Sequence, residues 1–261
     1  MIKKEQVGRN FTKGAAAYDA NAVIQRACAT TLTALIRAHV EPKDVRTVCE
    51  IGCGTGFISE FIVATFPDAD FILTDLSDGM LGRCEARLST TTAYRAGRVR
   101  LVAQDGERLD AAGLDLIVSG LAFQWFENLP AAIARYHSLL KEGGVLAFSI
   151  LTAETFKQLR ESFAEAGSPF PGPSLPTQEQ VENSLRIFSK TFITHERHPE
   201  KHPSTIHFLR CLRSIGAGNP GRTRPPVGAL RRAIHTHERR AGKTEGDLTF
   251  EYHVTYGVCV R

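Results

Sequence analysis

The chain has 261 residues, of which 43% are hydrophobic and 23% charged, a composition typical of a globular α/β domain with a small additional element. Its net charge of +4 permits an acidic partner without requiring nucleic acid, and no stretch is long and apolar enough to span a bilayer. The six cysteines form no C-x-x-C pair and the N-terminus lacks the apolar core of a signal peptide, so we expect reduced thiols, no metal site and a cytoplasmic protein.

The first 150 residues show an alternation of elements. Residues 1–20 are polar with aromatic residues at Phe11 and Tyr18, and apolar residues at helical spacing follow from Ala22 to His39. The predicted strands are Val45–Ile51, Phe71–Thr74, Val99–Ala103, Leu114–Ser119 and Val145–Ile150, with helices near Phe57–Phe66, Gly79–Leu88 and Leu129–Leu140. This alternation predicts a parallel sheet with helices on both faces.

The most informative segment is Val48–Gly56, with the sequence V-C-E-I-G-C-G-T-G. An apolar run ends in Glu50, and glycines follow at alternate positions, where a ligand can press against backbone and a turn can use positive φ. Asp75 closes the next apolar run about 20 residues on, where a carboxylate can accept hydrogen bonds from ribose hydroxyls. The spacing differs from the dinucleotide pattern G-x-G-x-x-G, and Glu50 would repel a pyrophosphate but suits a cationic ligand. The alternative is that the glycines only satisfy turn geometry.

The pattern E-x-G-x-G-x-G resembles the first motif of class I S-adenosylmethionine-dependent methyltransferases. The resemblance implies an α/β protein with the Rossmann-like class I methyltransferase fold: a seven-stranded, mostly parallel sheet with helices on both faces and a small helical insertion or lid. It also implies S-adenosylmethionine as cofactor and S-adenosylhomocysteine as product. Glu50 would lie near the methionine amino group, and Asp75 would hold the ribose.

Ligands of open α/β sheets lie beyond the carboxyl ends of the strands, so the residues that follow each predicted strand are candidates for contact. Asp105 follows the third strand, where it can accept a hydrogen bond from the adenine amine or act as a helix N-cap. Phe123, Gln124 and Trp125 follow the fourth strand and are expected to pass the sulfonium and reach the acceptor, with core packing as the alternative for Trp125. The cofactor-contacting candidates in these loops and strand ends are Glu50, Gly52, Cys53, Gly54, Gly56, Asp75, Leu76, Met80, Asp105, Gly106, Glu107 and Ser119.

After Ile150 the alternation ends. Helices are predicted at Thr155–Ala166, Gln178–Arg186, Thr205–Ile215 and Val227–Ala241, and strands at Ser189–Arg197 and Leu248–Val260, the last with Phe250, Tyr252, Val254, Tyr256 and Val258 on one face. Between these strands we expect an insertion that is a lid or binding element, or else a packing appendage. The predicted divisions are 1–40 for an N-terminal cofactor-covering segment and helix, 41–150 for the cofactor-binding core, 151–197 for helices and the sixth strand, 198–246 for the insertion, and 247–261 for the final strand.

Four further segments resemble the malonyl-carrier-protein O-methyltransferases that open the pimeloyl branch of biotin synthesis. They are F-x-x-x-A-x-x-Y-D-x-x-A-x-x-Q from Phe11 to Gln25, S-x-L-A-F-Q-W from Ser119 to Trp125, F-L-R-x-L-R-S-I-G-A-x-N-P from Phe208 to Pro220, and L-T-F-E-Y-x-V-T-Y-G-V from Leu248 to Val258. The resemblance implies methyl transfer to the free carboxylate of a malonyl thioester on acyl carrier protein. It also places Tyr18 and Gln25 over the cofactor.

This reaction needs no general acid or base, because a carboxylate with a pKa near 4 is already ionised at pH 7. Proximity and orientation are the expected means of catalysis. The acceptor carboxylate still needs a cationic partner, and Arg210 and Arg213 lie one turn apart in the predicted insertion helix. We expect Arg210 to hold it, with a surface role as the alternative. The predicted substrate-binding residues are Tyr18, Phe123, Gln124, Trp125, Arg210 and Arg213, and the histidines at 195, 198 and 202 are expected to be solvated or structural.

An acidic carrier protein calls for a basic docking surface. We expect basic residues of the second insertion helix to form this surface; the alternative is that they form an ordinary solvated face. These residues are Arg231, Arg232, Arg239, Arg240 and Lys243. We expect a monomer that binds neither nucleic acid nor membrane. The sequence leaves open malonyl-coenzyme A as acceptor, a methyltransferase acting on a free aconitate-like acid or a quinone, and a non-catalytic protein that retains the cofactor fold.

Overall fold

The computed structural model describes residues 3–218, 226–242 and 247–261. Within them, seven strands form one sheet in the order β3-β2-β1-β4-β5-β7-β6, in which β7 alone is antiparallel to its neighbours. The strands are β1 Thr47–Ile51, β2 Asp70–Asp75, β3 Val99–Ala103, β4 Leu114–Gly120, β5 Leu140–Leu151, β6 Lys190–His202 and β7 Leu248–Val260. The predicted seven-stranded, mostly parallel sheet is confirmed.

Helices cover both faces of the sheet, and all but α1 and the single-turn α5 match helices predicted from periodicity. Their bounds are α1 Lys4–Asn21, α2 Val23–His39, α3 Phe57–Thr65, α4 Asp78–Leu88, α5 Thr92–Arg95, α6 Leu129–Leu139, α7 Lys157–Glu165, α8 Gln178–Ser184, α9 Thr205–Ser214 and α10 Val227–Arg240. No helix among the described residues is long and apolar enough to cross a membrane.

The N-terminal helix α1 was not predicted. Its buried face is thin, with Val7 and Ala15 almost fully covered and Phe11 and Tyr18 only half-covered. Most of its other side chains are polar, so the apolar stripe typical of a surface helix is too narrow to stand out in the sequence. Packing against α4 and α9 therefore stabilises α1 more than its own pattern indicates.

Strand β6 is longer than predicted, and the insertion begins at residue 203 rather than 198. Residues 198–202 pair with β7, down to His202 opposite Leu248. The prediction ended the strand early because this stretch is charged and contains Pro199. Charged residues and proline are tolerated at this position because β6 is the edge of the sheet.

The sheet separates two apolar cores. The first core lies between the sheet and helices α2, α3 and α4 and includes the buried face of β7. The second core lies between the sheet and helices α6 and α8. The predicted face of β7 is confirmed, since all five of its side chains are buried. Phe208 of α9 stacks on Phe250 of β7 with ring centroids 3.9 Å apart, so aromatic packing fastens the insertion to the sheet.

Candidate functional site

Three adjoining cavities open where β1 and β4 lie side by side, the point at which the strand order reverses and ligands of such sheets bind. We name them by one residue each. The Asp75 cavity is about 640 Å³, the Glu50 cavity about 380 Å³ and the Arg160 cavity about 690 Å³. Tyr18 and Leu121 line all three, so the three spaces meet at these two side chains.

The glycine-rich loop after β1 forms the floor of the first two cavities. Gly52 has φ +68°, and a Cβ there would lie 2.5 Å from the Cβ of Ala122, so only glycine fits. Gly54, with φ +56°, faces open space and donates its N–H to Oδ2 of Asp75 at 2.9 Å. Gly56 lines none of the three cavities; it has φ +92° and a Cβ there would approach Cys84 Sγ to 3.1 Å. Gly56 thus serves the turn into α3 rather than ligand contact.

Asp75 ends β2 and faces the cavity named after it. Its Oδ1 accepts the N–H of Ser77 at 2.8 Å, and its Oδ2 accepts that of Gly54. Burial raises the pKa of Asp75 to about 6, although these backbone donors oppose the rise. Leu76 and Met80 line the same cavity and give it the apolar wall that a planar base requires.

Glu50 is almost completely buried and lines the Glu50 cavity together with Gln25 and Cys53. Ser59 donates its hydroxyl to Oε2 of Glu50 at 2.5 Å. Burial raises the pKa of Glu50 well above its ordinary value, and the neighbouring Cys84 adds to this rise. A cation placed in this cavity would reverse the effect, because an opposite charge nearby favours the ionised carboxylate.

The two acidic residues after β3 have different surroundings. Asp105 lines the Asp75 cavity, accepts the N–H of Glu107 at 3.1 Å as an N-cap, and lies 2.9 Å from Lys4 Nζ. Glu107 lies outside that cavity, pairs with Lys4 at 2.5 Å and accepts the N–H groups of Glu127 and Asn128. Glu107 therefore fastens the loop after β4 to α1.

Two more predicted cofactor contacts differ in their placement. Gly106 lines the Asp75 cavity, and a Cβ there would approach Ile51 to 2.5 Å. Ser119 is fully buried below the floor, where its hydroxyl donates to the carbonyl of Ile51 at 3.0 Å, and it lines none of the three cavities. Ser119 thus stabilises the end of β1 through this hydrogen bond rather than contacting a ligand.

Helix α1 covers the Asp75 cavity and places Val7, Phe11 and Tyr18 against it. Burial and the nearby Asp75 carboxylate raise the pKa of the Tyr18 hydroxyl above its ordinary value. Tyr18 therefore stays protonated at neutral pH and is a hydrogen-bond donor rather than a base.

The Arg160 cavity lies on the far side of Tyr18 from Asp75. Trp125 lines both cavities and forms the wall between them, whereas Gln124 lines only the Arg160 cavity. Gln124 donates to the carbonyl of Leu121, and its buried Oε1 has no hydrogen-bond partner among the described residues. Phe123 does not reach the cavity: it is buried in the second core and stacks on Tyr136 with centroids 5.6 Å apart. The single 3₁₀ turn at Phe123–Trp125 points these neighbouring rings in different directions.

Leu121 is a residue that the sequence analysis missed. Its φ of +49° is unusual for a residue with a branched side chain, and strain of this kind costs on the order of 1–3 kcal/mol. The N–H of Leu121 donates to the Ser149 carbonyl at 3.0 Å, which holds the residue in place. Because Leu121 lines all three cavities, its strained backbone lies within the candidate site, where strained residues tend to cluster.

The structure does not bring Arg210 and Arg213 to the Arg160 cavity, so the expectation that they hold the acceptor carboxylate is not supported. Both are exposed on α9, whose cavity-facing side is formed by Leu212, with Ile215 just beyond the helix. The cation in the cavity wall is Arg160 of α7, half-buried, with its guanidinium 4.7 Å from the Phe170 ring centroid.

Arg160 is positioned by backbone carbonyls. Its Nε donates to Thr155 at 2.9 Å and its Nη2 to Pro173 at 3.2 Å. The loop that supplies Pro173 folds back over α7, and no local pattern in the sequence indicates that contact.

The predicted docking arginines lie on α10 and are all exposed. Arg240 forms ion pairs with Glu165 at 2.5 Å and Glu161 at 3.7 Å, so α7 neutralises part of this surface. Arg232 reaches the carbonyl of Ala166 at 3.5 Å. Arg231 and Arg239 have no ion pair within the described part of the chain, and Lys243 lies outside that part.

Comparison with known proteins relates the whole chain to methyltransferases. The sequence profile of a family described as "Methyltransferase domain" matches residues 49–146. The chain is 38% identical over 258 residues to a malonyl-[acyl-carrier protein] O-methyltransferase of Magnetococcus marinus, covering 98% of this chain and 92% of that protein. It is 32% identical over 249 residues to a biotin biosynthesis bifunctional protein, BioCD, of Bordetella avium, covering 92% of this chain and 50% of that protein. Among solved structures, the YcgJ protein of Bacillus subtilis has a TM-score of 0.61 at 13% identity, over 89% of this chain and 98% of that one, a likeness in fold alone.

Proposed function

Because this chain belongs to the malonyl-[acyl-carrier protein] O-methyltransferases, a family of class I S-adenosylmethionine-dependent enzymes, we propose that it methylates the free carboxylate of a malonyl thioester on acyl carrier protein. The product is the malonyl methyl ester that starts pimeloyl and biotin synthesis. We further propose that the enzyme acts in the cytoplasm as a monomer and binds neither nucleic acid nor membrane.

The observation that supports this acceptor is the character of the Arg160 cavity. Arg160 is the only charged side chain among its described lining residues, and most of the others are apolar or aromatic. The carboxylate of a malonyl group, one methylene away from its thioester carbonyl, matches a single cation in an otherwise largely apolar wall. The planar guanidinium suits bidentate pairing with that carboxylate. Because Arg160 lines the cavity and Arg210 does not, we assign the clamp to Arg160.

The residues around the other two cavities fit S-adenosylmethionine. The half-buried Asp75 suits the ribose hydroxyls, Asp105 and the apolar Met80 suit adenine, and the buried Glu50 suits the methionine ammonium group. Gly52 and Gly54 leave the floor open to close approach. When bound, the cofactor supplies a methyl group activated by the positive sulfonium.

The remaining work of the protein is orientation. The acceptor carboxylate is already ionised at neutral pH, so no side chain has to remove a proton. Trp125 and Tyr18 lie between the Arg160 cavity and the Asp75 cavity. They therefore set the direction from which the acceptor carboxylate approaches the methyl group of the cofactor. Holding the acceptor in line supplies the entropic advantage of an intramolecular reaction.

We propose that the carrier protein docks on α10. This helix packs on α7, the helix that bears Arg160, so a partner on α10 would be held close to the acceptor cavity. Arg231 and Arg239 are the candidates for contact with an acidic partner, since Arg240 is already paired with Glu165.

A methyl-transfer assay with labelled S-adenosylmethionine tests the proposal. Malonyl-carrier protein, malonyl-coenzyme A, free malonate and trans-aconitate are offered separately at equal concentration. We expect base-labile label on the carrier thioester, with much less on the other acceptors. Preferential labelling of a free acid would overturn the proposed acceptor while leaving the fold and cofactor intact.

A further inference from the structure

We infer that His202, His207 and Cys211 form a binding site for a transition metal, with Zn²⁺ as the ion that best fits the ligands. His202 is the last residue of β6, and His207 and Cys211 lie four residues apart on one face of α9. This inference does not depend on the proposed function, because the three residues line neither the cofactor cavities nor the Arg160 cavity.

The distances within the cluster are close to those of a metal centre. Nδ1 of His202 lies 3.0 Å from Nδ1 of His207, and Sγ of Cys211 lies 3.7 Å from the same His207 nitrogen. One ligand atom from each residue falls within 4.8 Å of the others. Tetrahedral zinc has Zn–N bonds of about 2.0–2.1 Å and Zn–S bonds of about 2.3 Å, which separates two nitrogens by about 3.3 Å and a nitrogen from a sulfur by about 3.6 Å. Shifts of a few tenths of an ångström would bring the two nitrogens, and the sulfur and its His207 neighbour, to those separations. The remaining pair, His202 and Cys211, lies within 4.8 Å and would close by up to about 1.2 Å.

A second observation points to the same site. His202 is only 6% exposed, and its other ring nitrogen, Nε2, is buried without a hydrogen-bond partner among the described residues. The nearest charged atom to it is Oε1 of Glu200 at 3.3 Å, and Tyr252 donates its hydroxyl to the other oxygen of Glu200 at 3.0 Å. Metal-bound histidines direct their second N–H to a carboxylate, and Glu200 is the carboxylate within reach of Nε2 here, although the two groups form no hydrogen bond in the described structure.

The cluster also has the surroundings of a metal site. The rings of Phe208 and Phe250 pack against His202 with centroids 5.2 Å and 5.7 Å away, so one side of the cluster is apolar. His207 is exposed on the other side, which leaves a path for the ion and room for water as a fourth ligand. Two imidazoles and one thiolate form a donor set that suits zinc over magnesium or calcium.

The ion would join the end of β6 to α9. Because Leu212 of α9 lines the Arg160 cavity, metal binding would hold one wall of that cavity in place. The role we assign is therefore structural, and it adds no chemistry to methyl transfer.

Cobalt titration of the reduced, chelator-treated full-length protein tests this site without measuring activity. We expect one Co²⁺ per chain, with the visible bands of tetrahedral cobalt and a near-ultraviolet thiolate-to-cobalt band, both abolished by equimolar Zn²⁺. Cys211→Ser should remove the thiolate band, and His207→Ala should weaken Co²⁺ binding at least about tenfold. His235→Ala, which removes an exposed histidine of α10, is the matched control and should bind cobalt as the wild type does.

The inference is overturned if no saturable cobalt spectrum develops, or if Cys211→Ser leaves the thiolate band unchanged. Thermal unfolding of each variant without metal confirms that it folds, and His207, being exposed, tolerates alanine. Methyl transfer failing in the labelled assay would leave the cobalt result standing, so the two proposals fail separately.

Discussion

Arg87 of α4 lies 2.6 Å from Oδ2 of Asp19, and this ion pair fastens the end of α1 to α4. Oδ1 of the same carboxylate accepts the hydroxyl of Thr55, in that loop, at 2.6 Å. Arg87 in turn donates to the Thr55 carbonyl at 2.7 Å. Helix α1 covers the Asp75 cavity, the proposed S-adenosylmethionine site, so we expect these contacts to open when the cofactor enters or leaves.

Asp19→Asn should therefore speed cofactor release. The pair is partly exposed, so its loss is worth about 1 kcal/mol, which corresponds to about a fivefold faster dissociation of S-adenosylmethionine. Stopped-flow fluorescence of Trp125 would measure the rate. Glu60→Gln is the matched control, because Glu60 pairs with another nitrogen of Arg87 at 3.3 Å without touching α1. Equal dissociation rates in the two variants would argue against this role of Asp19.

Adenosine binding should weaken in acid because of Asp75. Its pKa is raised to about 6 by burial, and ribose hydroxyls donate better to the ionised carboxylate. Ligand binding thus lowers this pKa, and affinity falls by up to about tenfold per pH unit below 6. Calorimetry with 5′-methylthioadenosine, which lacks the amino-acid group and so avoids Glu50, would measure the effect. Asp75→Asn should bind more weakly and lose the pH dependence, whereas Asp105→Asn should keep it.

Replacing Arg160 should raise KM for the malonyl acceptor. A charge-assisted hydrogen bond contributes about 1.5–3 kcal/mol, so Arg160→Gln should raise KM about 10- to 100-fold while leaving S-adenosylmethionine affinity within about twofold. Arg210→Gln and Arg213→Gln are the controls, since both side chains are exposed on α9. Steady-state kinetics at saturating cofactor would separate these cases. A large effect in Arg210→Gln with none in Arg160→Gln would reverse the assignment of the clamp.

Arg160 also holds backbone carbonyls, so its loss could loosen the loop instead of removing a clamp. Arg160→Lys retains the charge but not the planar pair of donors, and we expect it to recover part of the acceptor affinity. Thermal unfolding within a few degrees of the wild type would show that the loop remains packed.

Charge reversal on α10 should affect only the carrier-borne substrate. Arg231→Glu combined with Arg239→Glu should raise KM for malonyl-carrier protein several-fold at low salt, and the effect should shrink as salt rises. Malonyl-coenzyme A turnover should stay unchanged. Arg186→Glu with Lys190→Glu reverses two exposed charges elsewhere and should change neither KM. If both double variants behave alike, net charge rather than a docking surface is responsible.

Truncating Phe208 should strongly destabilise the protein. The ring is fully buried and stacks on Phe250 at 3.9 Å, so Phe208→Ala should lower the free energy of unfolding by about 3–5 kcal/mol. Phe192→Ala, at a ring that is 43% exposed, should cost no more than about 1 kcal/mol. Denaturant unfolding followed by circular dichroism would compare them. A small loss at Phe208 would mean that α9 is not fastened to the sheet through this stack.

The sequence by itself determined the sheet and the cofactor loop. The central strands are buried on both faces of the sheet, so most of their residues are apolar. A continuous apolar run of this kind can be recognised directly in the sequence. The alternate glycines after Glu50 and the acidic residue at Asp75 belong to single strand–loop junctions, so their geometry needs little more than local structure. For the same reason, all seven strands were predicted, with differences only at their ends.

Only the tertiary structure decided which side chains line the Arg160 cavity. Helix α9 alternates arginines with apolar residues, and its own pattern cannot tell which side faces the sheet; packing of Phe208 and Leu212 turned Arg210 and Arg213 outward. Arg160 lies in the wall because the loop after α7 folds back over the helix and supplies a carbonyl to it. Phe123 and Trp125 were separated by one tight turn. His202 met Cys211 only because the edge strand runs on to the start of α9. Each of these outcomes depends on contacts between elements, and the free energy of such contacts is not a property of any single segment of the sequence.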